Sequence, residues 1–157
     1  MSIKRVREFL APLGLDHLVM AFEVSSATVS MAAAAAGIPE AQIAKTLAFH
    51  GTENTTILVV CAGDTRIDNP KFKAAFGVKA KMLRAEEAQE RTGHAVGGVC
   101  PFALGPGVRV YLDDSLKRFT TIYPSAGNDR SAIKLTPAQL EQATTGTWVD
   151  VCKLMDG

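Results

Sequence analysis

The chain has 157 residues, 47% of them hydrophobic and 21% charged, which suits one folded domain over residues 1–157 and excludes wholesale disorder. Lys and Arg number 17 against 16 Asp and Glu, a formal charge of +1, so a histone-like polymer binder is excluded while a local basic patch is not. The three cysteines, Cys61, Cys100 and Cys152, are widely spaced and form no Cys-x-x-Cys, so neither a disulfide framework nor a Cys-rich zinc site is expected and a reducing cytoplasm is the natural setting.

Ile3, Val6, Leu10 and Leu13 share one helical face after Ser2, and Gly14 ends the run. Ser26 is expected to cap a second, alanine-rich helix that stops at Gly37. Pro39 suits the first turn of a short third helix that carries Ile43 toward the core. Residues 46–50 and 55–61 read as strands joined through residues 51–54. Asn69 and Pro70 supply an N-cap and a first helical position, and Gly77 closes that helix. Residues 79–83 read as a short strand with charged alternate positions. Residues 85–91 read as a helix with Glu86 and Glu87 in its first turn.

A loop over residues 93–107 follows, with five glycines and two prolines. Residues 108–112, 119–123 and 131–135 are predicted strands, and the Thr136-x-x-Gln139 capping box opens a helix to Ala143. Residues 147–151 form a final predicted strand. Helices first, then many short strands with inserted helices, predict an α+β fold with a mixed, largely antiparallel β-barrel and peripheral helices. No apolar run approaches the ~20 residues of a membrane span.

The chain has no Walker loop, Gly-x-Gly-x-x-Gly, His-Glu-x-x-His or Gly-x-Ser-x-Gly. His17, His50 and His94 lack metal-ligand spacing, so no metal is expected. Lys45 stands between an apolar helix and an apolar strand. It is either a snorkelling lysine or a cation held at a cavity mouth for a phosphate or a developing oxyanion. In the loop, adjacent Gly97 and Gly98 permit close approach of backbone to a ligand, and Pro101 stiffens the exit; a plain connection has the same composition. Cys100 and His94 form a conceivable nucleophile and base. Arg66, Lys71, Lys73, Lys79, Lys81 and Arg84, with Asp68 the sole acid among them, are either a solvated face or a phosphate-tracking patch.

In order along the chain come Gln42-Ile43-Ala44-Lys45-Thr46-Leu47-Ala48-Phe49, Gly63-Asp64-Thr65-Arg66-Ile67-Asp68, Thr92-Gly93 and Gly97-Gly98-Val99-Cys100-Pro101-Phe102. Val110-Tyr111-Leu112-Asp113, Ser125-Ala126-Gly127 and Ile133-Lys134-Leu135-Thr136-Pro137 complete the series. The ordered set resembles the YbaK/ProX family of aminoacyl-tRNA deacylases, a domain also inserted in many bacterial prolyl-tRNA synthetases. Ala103 departs from it, since many relatives carry glycine there.

The resemblance implies Lys45 as the principal functional side chain, with Gly98 presenting backbone groups to the reacting ester. It implies an aminoacyl pocket formed by Thr46, Gly97, Val99, Cys100, Pro101, Ser125 and Gly127. The activity implied is trans-editing hydrolysis of mischarged aminoacyl-tRNA without a cofactor, with a prolyl-tRNA synthetase as a further partner. Lys71, Lys73, Lys79 and Lys81 are expected to contact the tRNA backbone. A noncatalytic tRNA or nucleic-acid binding module is the alternative, and a cysteine hydrolase using Cys100 and His94 a third.

Overall fold

The computed structural model describes residues 2–95 and 98–155. Helix α1 (Ser2–Leu10) buries Val6 and Leu10, runs into a 3-10 turn at Ala11–Leu13, and stops at left-handed Gly14. Strand β1 (Val19–Ala21) follows. Helix α2 (Val29–Ala36) ends at left-handed Gly37 as expected, but its cap is Thr28, whose Oγ1 accepts the Met31 N–H at 3.1 Å. Ser26 lies too far upstream to reach that N–H; its buried hydroxyl instead accepts the Ser131 N–H at 3.1 Å.

After Pro39 the chain makes only a 3-10 turn, Glu40–Gln42, before strand β2 (Ile43–His50) begins. Lys45 therefore sits inside a strand rather than at a helix–strand junction. Strand β3 (Thr56–Ala62) pairs antiparallel with β2, and strand β4 (Thr65–Ile67) follows a tight turn. Helix α3 (Asn69–Phe76) is capped by Asp68, whose Oδ1 accepts the Lys71 N–H at 3.1 Å, so Asn69 is its first residue rather than its cap. Residues 79–83 do not form a strand. They touch β2 through one bridge, Phe49 with Met82, and two bonds, His50 N–H to Lys81 O at 2.9 Å and Leu83 N–H to Ala48 O at 3.0 Å.

Helix α4 (Ala85–Thr92) and strand β5 (Val108–Asp113) come next. After a 3-10 helix at Asp114–Arg118, the strand expected over residues 119–123 shrinks to β6 (Tyr123–Pro124), with Ile122 making one isolated bridge to Leu135. Strand β7 (Ser131–Ile133) leads to helix α5 (Pro137–Thr144), which opens on the expected Thr136–Gln139 capping box. Strands β8 (Thr147–Val149) and β9 (Cys152–Leu154) close the described chain.

The fold is mixed α+β, but the main sheet is open, in the order β6-β2-β3-β5-β8. Only β2–β3 is antiparallel in it; β2–β6, β3–β5 and β5–β8 are parallel. The barrel and its largely antiparallel pairing are thus corrected. The segment between β3 and β5 carries two helices, long enough to return the chain in the same direction. The edge strands β6 and β8, two and three residues long, do not meet to close the sheet. Strands β1 with β7 and β4 with β9 form separate antiparallel pairs.

Every position of β3 is buried, because both of its faces are covered. Ile57, Val59 and Cys61 pack with Phe49 against Phe72 of α3. Val60 and Ala62 pack with Ala44 and Leu112 against Leu116, Ile122, Ile133 and Leu140. Ala103 adopts φ +52°, a left-handed conformation that favours glycine, the residue expected there in relatives. Among the described residues no helix is long and apolar enough to cross a membrane.

Candidate functional site

A gap in the pairing of β2 positions the site. Ala44 is paired with Pro124 of β6, and Ala48 accepts the Leu83 N–H, so the edge between them has no strand beside it. The Ala48 carbonyl and the His50 N–H both face away from β3, and the two-residue strand period puts the amide of Thr46 on that same edge. A cavity of about 470 Å³ opens at this gap. Its wall combines Ala32 of α2, Ala44 and Ala48 of β2 and Ala88 of α4 with the larger Ile43, Leu83 and Tyr123, and exposed Met82 lies at its rim.

The polar groups converge on this apolar wall. Thr46 lines the cavity, and its Oγ1 is buried with no hydrogen-bond partner among the described residues. A buried hydroxyl of that kind carries a desolvation cost that a bound ligand removes. Lys45, half-buried, also lines the cavity and donates its ammonium to the carbonyl of Thr65. Ser125 borders it too, its hydroxyl donating to Asn128 O at 3.2 Å. Val99 completes the wall from the glycine loop. The structure therefore brings Lys45, Thr46, Val99 and Ser125 to one cavity.

Gly98 and Gly127 stand behind it. A Cβ on Gly98 would lie 2.6 Å from Asn128 Cα and 2.8 Å from Gly127 C, so loop and turn pack backbone on backbone. Gly97 lies outside the described residues. Cys100 is fully buried in the core beside Phe102 and does not line the cavity. Pro101 borders a separate groove with Phe9 and Arg109.

His94 and Cys100 do meet, with Sγ 3.5 Å from Nε2, but the pair is not a nucleophile and base. Nε2 lies 2.7 Å from the Phe102 carbonyl, which only accepts, so Nε2 carries the proton and has no lone pair for the thiol. Burial holds His94 below its ordinary value, and burial pushes the Cys100 thiol up to about 12. Both groups are neutral near pH 7. Intact protein is expected to resist alkylation at Cys100. Rapid modification of Cys100 in the folded protein would reverse that conclusion.

Lys71, Lys73, Lys79 and Lys81 are all exposed. Lys71 is held by Asp150 at 3.0 Å, and this hydrogen-bonded carboxylate raises its pKa. Lys81 adjoins Met82 at the cavity rim. Among the described residues no three His, Cys, Asp or Glu side chains gather as metal ligands. The alanine wall and the ion pair of Arg118 with Asp64 were not anticipated. The latter joins residues 54 apart, and no sequence pattern announces it.

The family model of the aminoacyl-tRNA editing domain matches residues 23–143. The uncharacterized protein YwhH of Bacillus subtilis is 48% identical over 154 residues, covering 98% of each chain. An Enterococcus faecalis protein provisionally named Cys-tRNA(Pro)/Cys-tRNA(Cys) deacylase EbsC is 28% identical over 116 residues, covering 73% of this chain and 71% of its own. A crystal structure provisionally described as a trans-editing enzyme for prolyl tRNA synthetase superposes with TM-score 0.87 at 31% identity, covering 97% of each chain.

Proposed function

We propose that this chain, which belongs to the aminoacyl-tRNA editing domain family, hydrolyses the ester of mischarged aminoacyl-tRNA in trans. The observation that carries the reading is the cavity at the β2 gap, a largely apolar pocket lined by Lys45 and by Thr46, whose buried hydroxyl has no partner among the described residues. An aminoacyl ester is already activated, so its hydrolysis needs an oriented water and a stabilised oxyanion more than a strong nucleophile. Water adds to the ester carbonyl carbon, the tetrahedral intermediate collapses, and the ribose oxygen leaves with a proton. Free amino acid and tRNA are the products.

In this reading Lys45 supplies positive charge to the terminal phosphate or the developing oxyanion. Thr46 donates to or accepts from the substrate through its hydroxyl and edge amide, and the loop bearing Gly97, Gly98 and Val99 shapes the aminoacyl pocket. Gly98 and Gly127 act through backbone packing, which sets where Val99 and Ser125 stand. Cys100 and Pro101 support the loop from behind. A largely apolar cavity of this kind suits a second sieve, since a synthetase pocket separates side chains differing by one methylene by only about 1–3 kcal/mol. The work belongs in the cytoplasm with its tRNA substrate, carried by one domain over residues 1–157, and a prolyl-tRNA synthetase is a fitting partner.

Turnover of a panel of purified aminoacyl-tRNAs tests the reading directly. Hydrolysis of none of them, with tRNA binding retained, would favour the noncatalytic module that the exposed lysines also suit. For docking, Lys71, Lys73, Lys79 and Lys81 contact phosphates without reading sequence. Lys79→Gln with Lys81→Gln is expected to raise KM for tRNA and leave single-turnover chemistry at saturating tRNA unchanged. The log–log salt slope should become shallower by about 0.7 for each phosphate that is no longer neutralised. An unaltered slope would mean that these lysines only solvate the surface.

A further inference from the structure

Among the described residues the Lys45 ammonium donates to a backbone carbonyl, that of Thr65, rather than to an acid, while its charge also acts on the nearby Asp64 carboxylate. Where that carbonyl stands depends on the turn of Gly63, Asp64 and Thr65 between β3 and β4. Thr65 Oγ1 closes the turn on Ala62 O at 2.7 Å. Gly63 is wedged beneath the 3-10 turn that precedes β2, since a Cβ there would lie 2.0 Å from Glu40 O.

The outer side of the turn is gripped by Arg118. Its guanidinium donates to both carboxylate oxygens of Asp64, Nη2 to Oδ1 at 2.6 Å and Nη1 to Oδ2 at 3.1 Å. The remaining edge, Nε, donates to Ser115 O at 2.8 Å. Ser115 in turn accepts the Ala62 N–H through its Oγ at 3.1 Å, at the end of β3 where the turn begins. One side chain thus links both ends of the 3-10 helix Asp114–Arg118 to the turn that bears the Lys45 acceptor.

We propose that Arg118 and Asp64 are positioning residues for Lys45, fixing the turn so that the Thr65 carbonyl holds the ammonium in one place. The proposal rests on the role given to Lys45 above. A two-point guanidinium–carboxylate pair fixes angle as well as distance, which a single lysine contact does not. The side chains are 39% and 35% exposed, and pairs so placed contribute little to global stability. Their geometry acts on placement instead. The Arg118 hydrogen bonds hold the Asp64 carboxyl below its ordinary range, so the pair is charged throughout the neutral range.

The test combines Arg118→Ala, Asp64→Asn and Arg118→Lys with Lys45→Ala. Arg118→Ala and Asp64→Asn should each lower kcat about 10- to 100-fold, the scale of a small misplacement of a reacting group, with little change in KM for tRNA. Arg118→Lys should recover part of the loss, because it restores charge without the second hydrogen bond. Lys45→Ala should cost far less in the Arg118→Ala background than in the wild type, since the ammonium there is already misplaced.

In ligand-free protein, the Lys45 ammonium signal in proton–nitrogen NMR should be protected from exchange in the wild type and lost in Arg118→Ala. Strictly additive losses, or a protected signal that survives Arg118→Ala, would overturn the proposal. Full activity of Lys45→Ala would overturn the proposed function itself. An inactive Lys45→Ala beside an Arg118→Ala of wild-type rate would overturn only the positioning role.

Discussion

Lys45→Ala is expected to lower single-turnover deacylation about 10²–10³-fold, the usual loss when one charge-stabilising donor is removed from a reacting site. The fold should survive. Lys45 is half-buried on β2, and its ammonium reaches the carbonyl of Thr65 at the turn rather than a core acid. Removing it leaves no buried carboxylate uncompensated. The strand register of Lys45 opposite Cys61 depends on backbone bonds and stays. Deacylation measured beside thermal unfolding checks both halves of this expectation. A folded variant with full activity would remove Lys45 from the chemistry and send the search to the Thr46 edge.

Gly98→Ala is expected to damage stability and activity together. The added Cβ would stand 2.6 Å from Asn128 Cα, and the obstacle is backbone, which cannot swing aside like the end of a side chain. Loop and turn must separate, and with them move Val99 and Ser125, which both line the cavity. Overpacking of this kind costs about 1–3 kcal/mol. In a chain of this length each kcal/mol lowers Tm by about 2–4 °C. KM should rise because the pocket is reshaped, and kcat should fall as the loop amides shift. An unchanged Tm and KM would mean that loop and turn do not pack backbone on backbone. The glycine pair suggests room for a ligand, but at Gly98 the chain's own turn occupies that room.

Features that four or five neighbouring residues decide are legible along the chain. Gly14, Gly37 and Gly77 stop helices where expected, because only the left-handed conformation lets the next N–H close the last turn. The Thr136–Gln139 box opens α5 for the same local reason. The apolar run in β3 announces a strand, and the ordered motifs point to the editing family.

Tertiary structure decided whatever depends on a distant partner. Residues 79–83 have a strand's alternation but find only a short stretch of β2 edge to bond. The three-residue strands β1, β4 and β9 exist only because β7 and each other lie alongside. Parallel or antiparallel pairing, and so open sheet or barrel, follows from the length of chain between strands and from which edges meet. Cys100 in a glycine-rich loop gives no sign of its depth, and only the packing around Phe102 makes it inert. The gap that bares the Thr46 amide, and the Arg118 grip on Asp64, arise between segments far apart in the chain. Local sequence carries propensity, whereas burial, hydrogen-bond partners and the electrostatics of the site are properties of what the rest of the chain places beside a residue.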